Sequence, residues 1–390
     1  MTPPRGSLLS MDFNSSVLDI FENRSLRAPF PEAGTRWVIY GAGNRGREIA
    51  QRLREHGHVV SRFIDRLSAP GDANGLPLVS PEDGRARCGL GEQAFIAIWR
   101  PDVDLQPIVD LLRDLGYSGV FSIYDYVERF GTELRRLFWQ VQSSFYLDHR
   151  TDIENLGGLF SDEESLRCLE EVLRLRLLGD LGGLRRPQPD AHYLPVGLFE
   201  LPDPFSFIDG GAYDGDTLQR MVDRGLHIDR YVGFEPDPGN FSRLRTRING
   251  FDAGLNAVIL PSALWSSVTT LRFSAEDSEE SRVTGDGATQ LQGLPIDAIL
   301  PGFRADLIKY DVEGAELEAL TGAVETIAAS RPVLAVSAYH RPEHLWEVPS
   351  LIARWGLGYR FFLRYHSFGG MDIVVYAVPP NRLAKTAGAR

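Results

Sequence analysis

One arrangement occurs twice in this chain of 390 residues: a short apolar run, a glycine-rich turn, a helical stretch, a second apolar run and an acid at its end. The first copy is Trp37-Val38-Ile39-Tyr40, then Gly41-Ala42-Gly43-Asn44-Arg45-Gly46, then Arg47–Glu55 with Ile49, Ala50 and Leu53 on one face, then His58–Ile64 and Asp65. The second is Phe205-Ser206-Phe207-Ile208, then Asp209-Gly210-Gly211-Ala212-Tyr213-Asp214-Gly215, a helix opening at Thr217, then Tyr231-Val232-Gly233-Phe234 and Glu235. Strands that alternate with helices in this way predict α/β units built on parallel sheets.

Around the first copy, Ala94–Trp99 and Gly119–Ile123 read as further strands, and Val109–Leu115 as a helix stopped by Gly116. Residues 66–93, rich in Gly, Pro, Asp and Ser, read as loop. The expectation is a smaller N-terminal parallel Rossmann-like domain over 32–130, behind an arm of 1–31. Residues 131–192 read as a helical connector, with Ser161 and Glu164 at capping-box spacing and a linker-like stretch at 179–190. From 193 to 380, strands are expected at 205–208, 231–234, 257–260, 307–310, 333–337, 360–363 and 373–378, with helices between them, including Ala315–Ala329. Residues 381–390 read as a tail.

Composition removes several function classes. A 43% hydrophobic and 24% charged chain is ordinary for a globular protein. No apolar run is long enough for a transmembrane helix, and the first residues lack the apolar core of a signal peptide. Two cysteines, Cys88 and Cys168, cannot make a disulfide framework or a four-cysteine zinc site, and such sparing use fits a reducing cytoplasm. A net charge of −12 argues against a nucleic-acid partner. The expected partners are a small-molecule or glycan acceptor and a second copy of the chain.

The two turns call for different chemistry. Gly41, Gly43 and Gly46 match G-x-G-x-x-G between a strand and a helix, and Asp65 closes the next strand. That pattern suits a nucleotide or sugar nucleotide, with the pyrophosphate at the helix N-terminus and the acid on ribose hydroxyls. It equally suits glycines that only permit tight helix–strand packing, and both readings stay open. In the second turn, Gly211, Ala212 and Gly215 suit the amino-acid part of S-adenosylmethionine, which has no pyrophosphate, and Glu235 suits its ribose hydroxyls.

Residues 193–378 resemble the FkbM family of S-adenosylmethionine-dependent methyltransferases. The blocks that carry the likeness are FIDGGAYDGDT (207–217), YVGFEPDPGNFSRL (231–244), LPSALWSS (260–267), LIKYDVEGAELEALTGA (307–323), RPVLAVSAYHRPEHLWEVPSLI (331–352) and FFLRYHSFGGMDIVVYAVP (361–379). The resemblance implies a class I methyltransferase fold, a seven-stranded sheet whose last strand is antiparallel. It also implies O-methylation, on sugars of surface glycans, glycolipids or macrolide-type metabolites. By matching position, Asp209, Gly211, Ala212, Gly215 and Thr217 are implied at the methionine end of the cofactor. Glu235 and Asp237 are implied at the ribose, Ser262 and Ala263 near the adenine, and Asp311 near the sulfonium. Gly210, Tyr213, Asp214 and Asp372 depart from the family pattern.

A sugar hydroxyl is a poor nucleophile, so a general base should assist in-line transfer. His340, just past a strand end and neutral at pH 7 if unperturbed, is the first candidate. Asp311 and Glu313 are rivals, though Glu313 and Glu316 would also complement a helix dipole. Lys309 is a further candidate, with a structural ion pair as its alternative role. His366 and Arg364, past another strand end, are candidates for acceptor contact, and Trp265, Tyr339 and Trp346 for stacking on a sugar face or for packing. Asp297 and Asp311 raise the question of a divalent metal, but no ligand triad has firm spacing and an essential metal is not expected. A competing function is an NAD- or nucleotide-sugar-dependent enzyme, or a non-catalytic sensor, using the GAGNRG turn. No Tyr-x-x-x-Lys pair for hydride transfer occurs in 94–150.

Overall fold

The computed structural model describes residues 5–22, 27–69, 71–73, 75–131, 133–134, 138–251, 255–274, 282–283 and 289–385. The chain divides into two compact units, one of Met1–Gly158, Leu166–Pro189 and Tyr365–Met371, the other of Leu159–Ser165, Asp190–Arg364 and Asp372–Arg390. The segment expected as a separate connector is therefore shared out between the units.

The first unit runs α1 (Arg5–Glu22), β1 (Arg36–Tyr40), α2 (Asn44–Glu55), β2 (Val59–Ile64), β3 (Gly71–Ala73), β4 (Leu76–Val79), β5 (Glu92–Ile96), α3 (Gln106–Asp114), β6 (Val120–Ser122), α4 (Ile123–Phe130), α5 (Ser143–Asp148), α6 (Arg150–Leu159, whose last residue falls in the other unit) and α7 (Glu163–Leu178, which begins there). Its sheet has the order β3-β4-β2-β1-β5-β6, parallel except for β3 against β4. Alternate residues of β1 serve two cores: Trp37 and Ile39 pack with Phe63 and Phe95, and Val38 and Tyr40 pack with Ile64 and Ile96. A strand buried on both faces reads as a continuous apolar run. Gly46 brings α2 onto the turn, because a Cβ there would lie 1.9 Å from the Gly41 carbonyl oxygen.

Two features of this unit, and one at the start of α7 in the other, differ from expectation. The 66–93 segment contains β3 and β4, of three and four residues, too short to show a period. Residues 123–130 form α4, opened by a capping box in which Ser122 and Asp125 exchange hydrogen bonds. At the start of α7, the carboxylate that accepts the Ser165 amide at 2.9 Å is Asp162, one residue beyond the expected Ser161.

The second unit runs β7 (Phe205–Gly210), α8 (Asp216–Asp223), β8 (Ile228–Phe234), α9 (Pro238–Ile248), β9 (Asn256–Leu260), β10 (Ala263–Leu264), β11 (Thr269–Ser274), β12 (Arg282–Val283), β13 (Thr289–Leu294), α10 (Ile296–Ile299), β14 (Leu307–Tyr310), α11 (Glu316–Thr321), α12 (Val324–Ser330), β15 (Val333–Ser337), α13 (His344–Arg354), β16 (Arg360–Tyr365, whose last residue belongs to the first unit) and β17 (Ile373–Val378). The seven expected strands form one sheet of order β16-β17-β15-β14-β7-β8-β9. Parallel pairing links β15, β14, β7, β8 and β9, and β17 runs antiparallel to β15. Phe207, Tyr231, Leu307 and Val333 pack together over one face.

A second, four-stranded sheet of order β10-β13-β11-β12 lies in the sequence between β9 and β14 and was not expected. The expected single helix over 315–329 is broken into α11 and α12 at Gly322-Ala323. A Cβ on Gly322 would lie 2.1 Å from the Trp265 carbonyl oxygen, so that backbone approach admits only glycine.

Lys309 and Asp209 lie at the middle of the large sheet, facing each other across β14 and β7. The ammonium donates to the Asp209 carboxylate at 2.9 Å and to the Gly211 carbonyl at 2.7 Å, and Tyr231 Oη donates to the same carboxylate at 3.1 Å. Burial alone would lower the Lys309 pKa, but Asp209 and then Asp311 outweigh it and hold the ammonium above its ordinary value. Lys309→Met leaves the Asp209 charge buried and alone, and should cost about 3–5 kcal/mol in urea unfolding. Adding Asp209→Leu to Lys309→Met should recover most of that loss.

Candidate active site

The C-terminal ends of β7, β8 and β14 converge on the second glycine turn, the place where open α/β sheets bind ligands. Gly211 has φ of +74°, and a Cβ there would lie 1.8 Å from the Asp311 carbonyl oxygen. The turn can therefore lie against β14 only if this residue has no side chain. Gly215, at φ +85°, starts α8. Gly210 ends β7, where a Cβ would meet Leu264 Cδ1 at 2.6 Å, so the small residue makes room for a side chain of the second sheet.

Glu235 binds the turn from β8. Its two carboxylate oxygens accept the amides of Tyr213 and Asp237, each at 2.8 Å. Burial pushes its carboxyl up to about 7, against the pull of those two amides. Asp237 caps α9 by accepting the Asn240 amide at 2.8 Å. The departures at Tyr213 and Asp214 are answered from α9: Arg243 lies over the Tyr213 ring at 5.5 Å, and Arg247 donates to Asp214 at 2.7 Å. Tyr213 itself holds a φ of +50°. Ala212 and Thr217 are buried in and after the turn. Ser262, between β9 and β10, and Ala263, the first residue of β10, are buried, and the Ser262 hydroxyl has no hydrogen-bond partner.

Asp311 begins the loop after β14, and Glu313, at φ +52°, lies within it. His340 faces both, its Nε2 being 3.5 Å from Asp311 Oδ1 and 3.7 Å from Glu313 Oε2. Its Nδ1 lies 2.7 Å from Glu316 Oε1. Burial alone would depress the imidazole, but the carboxylates of Glu316 and then Glu313 outweigh it and raise its pKa to about 10. His340 is thus a cation at neutral pH, not the neutral ring expected of an unperturbed histidine. Glu316 carries two histidines, since His344 Nδ1 is 3.0 Å from its Oε2. Sequence reasoning gave His344 no role and Glu316 only a helix-dipole one. The sequence offered only the four-residue spacing of His340 and His344, with His340 24 residues beyond Glu316.

Other candidates take different places. Lys309 and Asp209 form the buried pair beneath the turn. Asp297 accepts the Glu325 and Thr326 amides and so caps α12. Arg364 pairs with Asp162 at 2.6 Å. His366 lies 3.2 Å from the Gln188 carbonyl. Trp346 is buried, Trp265 packs at the second sheet, and Tyr339 packs on the His340 ring with centroids 4.2 Å apart. Among the described residues, no group of three or more His, Cys, Asp or Glu is arranged to hold a metal ion, and no helix is long and apolar enough to cross a membrane.

In the first unit, Gly41 turns at φ +103°, Gly43 has nothing within 4 Å of where a Cβ would stand, and Gly46 packs on Gly41. Asp65 accepts the amides of Ala42, Leu67 and Ser68 at 2.8, 2.8 and 3.0 Å. Burial alone would raise its carboxyl, but these amides outweigh it and hold the group below its ordinary value.

A seven-stranded sheet with an antiparallel strand, a glycine turn after its first strand and an acid after its second define the fold of a methyltransferase. The family model of the methyltransferase FkbM domain matches residues 209–362. The crystal structure of methyltransferase FkbM from Methylobacillus flagellatus KT superposes with a TM-score of 0.73 at 21% identity, covering 95% of this chain and 96% of that one. Fibrillarin from Aeropyrum pernix, with natively bound S-adenosyl-L-methionine, gives a TM-score of 0.31 at 14% identity over 48% of this chain and 73% of its own, too slight a likeness to carry an argument. No curated protein matches.

The two acids predict opposite titrations. In carboxyl-carbon NMR, Glu235 should titrate with a midpoint near 7, while Asp65 should stay ionised to below the ordinary aspartate range.

Proposed function

We propose that this chain is an S-adenosylmethionine-dependent O-methyltransferase acting on a hydroxyl of a saccharide or sugar-containing metabolite. The observation that carries the reading is the joined cradle of Gly211 and Glu235: a turn with no room for a side chain, held by a buried acid at the next strand end. The residues fit the cofactor. Glu235 keeps lone pairs for two ribose hydroxyls, and the unpartnered Ser262 hydroxyl is suited to a polar edge of adenine. The saccharide acceptor and the O-methylation rest on the family resemblance.

The chemistry that the cofactor supplies is an electrophilic methyl group. The chain's part is to bind, orient and take a proton. A cationic His340 has no free lone pair for the acceptor's proton, so the base falls to the carboxylates it faces. Asp311, whose backbone lies against Gly211, is the one we assign, with Glu313 beside it. His340 contributes positive charge at their backs, and Glu235 orients the ribose.

Titration calorimetry with S-adenosylhomocysteine tests the binding part. Accepting hydroxyls favours the ionised acid, so affinity should rise with pH up to about 7 and level off above it. Glu235→Ala should weaken binding and remove that slope, and unaltered affinity in this variant would sink the assignment. Asp311→Asn should lower kcat by about 10²–10⁴-fold with binding little changed. An undiminished kcat would pass the role to Glu313.

A second reading is a nucleotide or sugar nucleotide at the GAGNRG turn. It is favoured by the open space at Gly43 combined with tight packing at Gly46. Titration with UDP-sugars and NAD should then give binding that Gly43→Val abolishes. No heat with either ligand would leave the three glycines a packing role.

A further inference from the structure

We propose that Glu316 is a positioning residue for the Asp311 and Glu313 carboxylates, acting through the ring of His340. The geometry is a chain of contacts. Glu316 Oε1 holds His340 Nδ1 at 2.7 Å, which turns Nε2 toward Asp311 and Glu313 at 3.5 and 3.7 Å. Glu316 is itself fixed. Its Oε1 accepts the amides of Val312 at 3.0 Å and Gly314 at 3.4 Å, its Oε2 faces His344 from α13, and no part of it reaches solvent. The same carboxylate therefore holds the backbone of the loop that bears Asp311 and Glu313, and the ring that faces their side chains.

The buried Glu316 charge accounts for a ring that is cationic at neutral pH. Burial alone would raise the Glu316 carboxyl, but His340 and His344 outweigh it and hold the group far below the carboxylate range. The groups around the ring are Glu316 from α11, Asp311 and Glu313 from the loop after β14, and Tyr339 at 4.2 Å. Arg341, the next residue, packs on Gly314. Without the Glu316 charge, burial would win at the ring and His340 would lose its proton within the neutral range. The carboxylates in front of it would then lose the charge that orients them. The kinetic part of this inference rests on the methyltransferase reading, and the protonation part does not.

Nitrogen-15 NMR of the histidine rings separates the two. In the unaltered protein both His340 nitrogens should stay protonated from pH 6 to 9, and a titration near the free-imidazole value of about 6.5 would overturn the proposal. Glu316→Gln keeps an oxygen for the Val312 and Gly314 amides while removing the charge. In this variant His340 should titrate inside that window. Its kcat should fall about 10- to 100-fold at pH 8 and recover toward pH 6, with S-adenosylhomocysteine affinity unchanged. A kcat that drops equally at every pH, or together with affinity, would mean a structural role alone and overturn the positioning claim. Absence of methyl transfer by the unaltered protein would sink the functional reading, and the ring titration would still decide the anchor.

Discussion

The ion pair of Lys309 and Asp209 is the contact on which the second unit depends. It joins β14 to β7 at the centre of the sheet, and the same ammonium reaches the Gly211 carbonyl at 2.7 Å. The turn that forms the candidate cofactor cradle is thus tied from below by charge and from the side by Glu235. Two buried charges are tolerable only with complete hydrogen bonding. Here Lys309 donates to the carboxylate and to two carbonyls, and Tyr231 supplies the carboxylate with one more donor.

The two α/β units share a wiring scheme and differ in its electrostatics. In both, the acid ending the second strand accepts an amide of the glycine turn, Ala42 for Asp65 and Tyr213 for Glu235. Asp65 has three amides and is stabilised as an anion, whereas Glu235 is more deeply buried with two and is pushed up. One acid closes its own loop, and the other is left with an unfavourable charge that further hydroxyl donors would relieve. This difference arises from burial, which the shared sequence pattern does not encode.

Much of the fold was legible because parallel strands buried on both faces leave continuous apolar runs. The seven strands of the large sheet and the core strands of the smaller one carry such apolar runs, including the antiparallel β17 and the partly exposed β9. The elements that escaped were short or governed by contacts distant in sequence. β3 and β4 lack a period, the strands of the second sheet are only two to six residues long, and the break between α11 and α12 follows from the close approach of Trp265 to Gly322. The site was legible to a similar depth. Gly211, Glu235, Asp311 and His340 could be named from motif and position, whereas the pairing of Glu316 with two histidines could not.

By itself the sequence determined which residue types stand at the strand ends, because the order of strand, glycine turn, helix and acid places them there in any fold that buries the apolar runs. It also set the family resemblance and the overall acidity. Only the tertiary structure decided their charge states and their neighbours. A histidine titrates near neutrality unless carboxylates surround it, and the three around His340 come from one stretch, 311–316, well before it in the chain. Protonation depends on distance and burial in three dimensions, so the change of His340 from candidate base to fixed cation had to wait for the fold.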